Sequence, residues 1–189
     1  MKKLVLTAFG ALALSVSLFA QDISSEAWRK MSKKERKEYK LKTALLEQEK
    51  TMELLNSREW VLEANQVQDR NGKTYNIEST LNFVGVDNEN STVQLGSSSN
   101  IGYNGVGGIT LVGRVANYDL TENDKAGTGA FLKIQVSGAS AGHISISMSI
   151  SPNGSARATV TNARGGRLTY IGQIVSLADS RVYKGQTNF

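Results

Sequence analysis

Residues 143–161 read HISISMSISPNGSARATVT, and the alternation within them decides the fold. Ile144, Ile146, Met148 and Ile150 fall on one side of an extended chain, and His143, Ser145, Ser147 and Ser149 fall on the other. A period of two with one apolar and one polar face marks an antiparallel strand buried on one side only. Ser151-Pro152-Asn153-Gly154 then supplies a turn, because proline presets φ and glycine tolerates positive φ. The chain returns with Ala156, Ala158 and Val160 inward and Arg157, Thr159 and Thr161 outward. The two alanines leave space opposite the isoleucines, to be filled by a large side chain such as Trp60 or Phe83, or by a ligand.

The same period extends through residues 59–175. Trp60, Leu62 and Ala64 share a face, and Asn71-Gly72 marks a tight hairpin into a return strand carrying Tyr75 and Ile77. A strand at Leu81 to Val86, a turn at Asp87 to Asn90 and a strand at Thr92 to Leu95 follow. Ile109 to Tyr118, Phe131 to Val136 and Arg167 to Val175 complete the set, and residues 176–189 read as a polar tail. Eight or nine short strands with turn signals between them predict an all-β fold, an antiparallel meander forming a barrel or a sandwich. The β domain spans residues 59–189.

Two segments precede it. Residues 1–20 have the form of a secretory signal peptide: Lys2 and Lys3, an apolar run from Leu4 to Phe19, and Ala20 at the cleavage point. A stretch of 16 residues is short for a membrane span, which takes about 20. The expected location is therefore periplasmic or cell-surface. The chain has no cysteine, so it offers no disulfide, no thiolate metal site and no lipid-modified cysteine anchor. Residues 22–57 read as a charged amphipathic helix. Ser32 and Glu35 have capping-box spacing. Leu41, Leu45, Gln48, Met52 and Leu55 form one stripe, expected to lie on a sheet or on a second copy, and Asn56 and Ser57 are plausible terminators.

Charge is unevenly distributed. The net charge of +5 resolves into +2 from Lys2 and Lys3, +3 from residues 21–58, and zero from residues 59–189, which hold ten basic and ten acidic residues. The β domain thus has no electrostatic footprint for nucleic acid. Arg29 to Lys42, with eight basic and two acidic residues, reads as a solvated helical face, with contact to a membrane surface as the alternative.

Chemistry-bearing motifs are sparse. His143 is the single histidine, no G-x-S-x-G elbow occurs, and the neighbouring serines follow from strand alternation. Glu59, Glu63, Asp69 and Glu78 on the first hairpin admit a carboxylate-based glycan hydrolase as the weakest reading. Asp119, Glu122 and Asp124 do not have the spacing of a calcium loop. No catalytic residue, metal site or cofactor is expected. The glycine-rich stretch Gly102 to Gly108 lacks G-K-[ST], so it is not a phosphate loop. Its glycines permit turns or close strand approach. The expected ligand site lies at this opening: Asn104, Gly105, Gly107 and Gly108, with Arg114 and Tyr118 as polar contacts. Valines at 107 and 108 should then block binding without unfolding.

The ordered motifs resemble a known family. They are Trp28-Arg29-Lys30-Met31-Ser32, the strand at Trp60, Asn71-Gly72, Asn82-Phe83-Val84, Asn104-Gly105-Val106-Gly107-Gly108-Ile109-Thr110, Asn153-Gly154-Ser155-Ala156 and Tyr170-Ile171-Gly172. Together they are similar to the secreted Bacteroidetes proteins grouped as domain of unknown function 4251. The resemblance covers about residues 25–175 and implies a secreted, mostly β envelope protein. It implies no activity. The function expected is non-enzymatic binding of a small apolar ligand or an envelope partner, with oligomerisation through the helix as the alternative.

Overall fold

The computed structural model describes residues 25–97, 105, 107–123, 125–138 and 142–185. The signal-like segment and Asn104 lie outside them. The chain divides after Lys40 into two compact units. In the first, helix α1 (Ser25–Lys30) is followed by the start of helix α2 (Lys33–Ser57). The break between them is the capping box: the Glu35 carboxylate accepts the Ser32 amide at 2.7 Å, and the Ser32 hydroxyl accepts the Glu35 amide at 3.3 Å. These bonds hold the Glu35 carboxyl below its ordinary pKa. Trp28 packs edge-on to Tyr39 at 6.1 Å, with the Arg36 guanidinium 5.5 Å from its ring centre.

The second unit is a closed barrel. Its strands are β1 (Glu59–Gln68), β2 (Thr74–Asn76), β3 (Phe83–Asp87), β4 (Asn90–Leu95), β5 (Ile109–Glu122), β6 (Ala130–Gly138), β7 (Gly142–Ile150), β8 (Ser155–Asn162) and β9 (Arg167–Ser176). All neighbours are antiparallel, and β9 returns to pair with β1. Eight strands close the barrel; β2 is an extra strand on the far half of β1, at Gln66 to Gln68. A bulge between Ala64 and Gln66 lets β3 hold the near half of that strand and β2 the far half. Of the two expected architectures the barrel is the one formed.

The alternation read from the sequence sets the wall. Ile144, Ile146, Met148 and Ile150 are buried in the interior with Leu132, Ile134, Val136, Ala156 and Ala158. Ala158 pairs with Met148 on one side and with Tyr170 on the other, so buried large side chains flank the small one. Trp60 is fully buried in the same cluster. On β6 to β8 the opposite faces carry mainly serine, threonine, lysine and arginine, whereas Val61, Phe83 and Val112 face outward on β1, β3 and β5. The β6 to β8 wall is thus the inverse of a membrane barrel's, whose lipid-facing side is apolar.

One end of the barrel is plugged by the part of α2 beyond Leu41. Leu55 is fully buried, and Met52 and Leu54 pack on the core. Gln48 accepts the Gly129 amide at 2.9 Å and donates to the Glu122 carboxylate, while the Thr51 hydroxyl donates to the Pro152 carbonyl at 2.7 Å. The helix therefore grips the β5–β6 and β7–β8 connections at once. It ends where Arg58 takes φ +57, a left-handed termination that lets the chain turn into β1. The polar tail is ordered over residues 177–185. They run as a strap along the outer face of β1 and β3, tied by Glu63, which accepts the Arg181 amide at 2.8 Å, and by Gln94.

Candidate functional site

Among the described residues, the barrel end opposite α2 is open. Strand connections there follow Gln68, Leu95, Gly138 and Asn162, whereas α2 meets the end at which β5 stops and β6 starts. Behind the rim lies a cavity of about 200 Å³, walled by Val93, Leu95, Ile109, Leu111, Ile144, Val160, Leu168 and Tyr170. Leu95 pairs with Ile109 and Val93 with Leu111, so two rungs of the β4–β5 ladder form one wall. Ile109 is 51% exposed although it points to the barrel interior, a consequence of standing at the mouth. Asn162, Gly166 and Arg167 supply the polar rim. Eight strands give an interior that side chains just fill or that holds one small ligand. Here the α2 end is filled and the other end is hollow.

Tyr170 is the polar group of the cavity wall. Its side chain is 2% exposed, and burial pushes the phenol pKa far above its ordinary value. Among the described residues its hydroxyl has no hydrogen-bond partner. Sequence reading placed residues 167–175 in a strand and quoted Tyr170 within a family motif, but gave it no part in a site. The signal was present, since Leu168, Tyr170 and Ile174 alternate inward.

The residues expected to bind ligand do not converge. Gly105 and Gly107 hold φ of +74 and +75 in the β4–β5 connection, beside the open mouth. Gly108 packs so closely that an added Cβ would meet the Leu95 carbonyl oxygen at 2.0 Å. A valine there forces the strands apart, so the expectation of blocked binding without unfolding fails at 108. Arg114 lies six residues further along β5, about 20 Å away on an extended strand. It faces outward and pairs with Glu89. Tyr118 does face inward, but at the plugged end. Its hydroxyl donates to the Leu55 carbonyl at 2.6 Å and accepts the Trp60 indole N–H at 3.1 Å, with the Arg58 guanidinium 4.7 Å from its ring centre. It ties the end of α2 to the barrel.

The other chemical candidates are taken up by structure. Glu63 fastens the strap, Asp69 accepts the Asn71 and Lys73 amides in its own turn, and Glu59 accepts from Asn88. His143 is exposed, with its ring nitrogen 3.5 Å from the Ser137 hydroxyl. Among the described residues no group of three metal-ligating side chains gathers. A second hollow of about 500 Å³ lies on the outer wall, between Val61, Phe83 and Val112 and the strap residues Leu177 and Val182.

Comparison with known proteins agrees with this architecture. The model of the domain of unknown function DUF4251 matches residues 30–174. The chain belongs to the DUF4251 family. A crystal structure of a DUF4251 family protein from Bacteroides eggerthii is similar at 26% identity and a TM-score of 0.56, covering 74% of this chain and 94% of that one. No curated protein matches the chain. DUF4251 membership assigns no activity, so the reading of function rests on the barrel.

Proposed function

We propose that this DUF4251 barrel is an exported binding protein for a small apolar ligand, held in the cavity at the end opposite α2. The observation that carries it is the contrast between the two ends. One is closed by Leu55, Met52 and Trp60 and sealed with hydrogen bonds. Among the described residues, the other leaves apolar side chains around a hollow. Apolar walls with a few polar rim groups are the usual make-up of a small-molecule site. The signal-like segment supports an envelope location.

The test is a methyl NMR titration of the protein with decanol. Shifts should gather on Ile109, Leu111, Ile144 and Leu168 and leave Leu55 and Ile150 unmoved. Shifts gathered on Val61, Val112, Leu177 and Val182 would move the site to the outer hollow and refute the assignment.

A second reading has its own observation. Leu41 and Leu45 on α2 are 49% and 41% exposed, so the stripe is only partly used within the chain. Self-association through α2 predicts that Leu41→Glu with Leu45→Glu converts an oligomer to a monomer in light scattering. A monomeric parent protein disposes of this reading.

A further inference from the structure

Tyr170 fills space that phenylalanine would fill as well, yet it carries a hydroxyl into an apolar wall. Burying a hydroxyl without a partner is unfavourable, and nearly all buried polar groups in folded proteins are paired. The neighbours offer nothing: Tyr170 pairs with Ala158 on one side and Val67 on the other, and the cavity walls beside it are aliphatic. A group that enters the cavity, water or ligand, can supply the missing partner.

We infer that Tyr170 is the anchoring hydrogen-bond donor for the ligand, which is a neutral, mostly apolar molecule bearing an acceptor oxygen (a ketone, ester or ether) at the end that enters the barrel. This rests on the cavity being the binding site. The chemistry selects the class. A carboxylate carried to Tyr170 would lose its hydration among Leu111, Ile144 and Leu168 and gain one hydrogen bond in return. A neutral carbonyl loses far less and gains the same bond. The phenol stays protonated, hence a donor, across the physiological range, because burial disfavours its charged form.

The experiment uses Prodan, a neutral naphthyl ketone dye whose emission moves to the red when its carbonyl accepts a hydrogen bond. It compares the intact protein, Tyr170→Phe and Ile109→Glu. The expected result is binding by the parent, loss of binding with Ile109→Glu, and binding with Tyr170→Phe that is about 2- to 12-fold weaker, the span of one ordinary hydrogen bond. Emission from the Tyr170→Phe complex should lie to the blue of the parent. Equal affinity and equal emission in Tyr170→Phe, with Ile109→Glu still blocking, would overturn the role of Tyr170 and leave the cavity reading standing. Absence of Prodan binding to the parent would overturn both. Thermal unfolding without dye gives an independent check. Tyr170→Phe should match or exceed the parent, because the hydroxyl has no partner to lose. A lowered midpoint would show an internal partner and reject the inference.

Discussion

At the scale of single residues, Tyr118 does the most for the plugged end. Its hydroxyl satisfies two groups, the Leu55 carbonyl at the end of α2 and the Trp60 indole N–H. Burial raises its pKa, with the Trp60 hydrogen bond and Arg58 opposing. Tyr118→Phe strands both partners, and each buried unpaired group costs about 1–3 kcal/mol. Chemical denaturation should show a loss of about 2–4 kcal/mol with the Prodan affinity unchanged; lost dye binding at full stability would return Tyr118 to the ligand site. Gly172 shows a different kind of constraint. It sits where β9 crosses the bulge of β1, and a Cβ there would lie 1.9 Å from the Glu63 carbonyl oxygen. Gly172→Ala should cost about 3 kcal/mol or more, an overpacking penalty. Neither role was legible in the sequence. A tyrosine at the end of a strand gives no sign of which helix end it will meet. A glycine in a strand announces close approach but not the partner.

At the scale of elements, α2 was legible in part. Its capping box formed as its spacing required, and the stripe read from Leu41 to Leu55 is the one that turns to the barrel. Within that stripe Gln48 and Leu55 are buried, while Leu41 and Leu45 stay largely exposed. The periodicity gave the face; only the barrel end, a disc smaller than the helix is long, decided how much of it is covered. Gln48→Ala removes the acceptor of the Gly129 amide and should cost about 1–3 kcal/mol, read by denaturation. The strap was not legible. Residues 177–185 lack a period, and their hold on the wall comes from the buried Gln94, which accepts the Gly185 amide at 2.8 Å and the Thr110 hydroxyl at 2.9 Å. Its amide also donates to the Tyr183 carbonyl at 2.8 Å. Truncation after Ser176 uncovers Val61 and Phe83, so the unfolding midpoint should fall while decanol still shifts the cavity methyls. An unchanged midpoint would mean that the strap adds no stability.

At the scale of the whole molecule, alternation was enough for the wall but not for its closure. Each strand pair follows from local turns, whereas the β9–β1 pairing that makes a barrel joins the two ends of the domain and leaves no local mark. The same distance hid the cavity, whose walls come from β4, β5, β7, β8 and β9 together. The folded protein also holds two phenols, Tyr118 and Tyr170, protonated above the ordinary tyrosine pKa. With both folded values raised, stability is complete below about pH 10, where unfolded tyrosine titrates, and falls as pH rises beyond it. Tyr170→Phe should flatten that alkaline fall in denaturation measured from pH 9 to 11 (roughly the window around the unfolded value); an unaltered slope would show that Tyr170 is accessible to hydroxide in the folded state.

The central claim is that the open end holds a ligand. Native mass spectrometry of the protein purified gently from its own source tests it most directly, with Ile109→Glu prepared in the same way. The account predicts an added small-molecule mass on the parent and none on the variant. A parent protein that flies bare, or a variant that carries the same added mass, would contradict it.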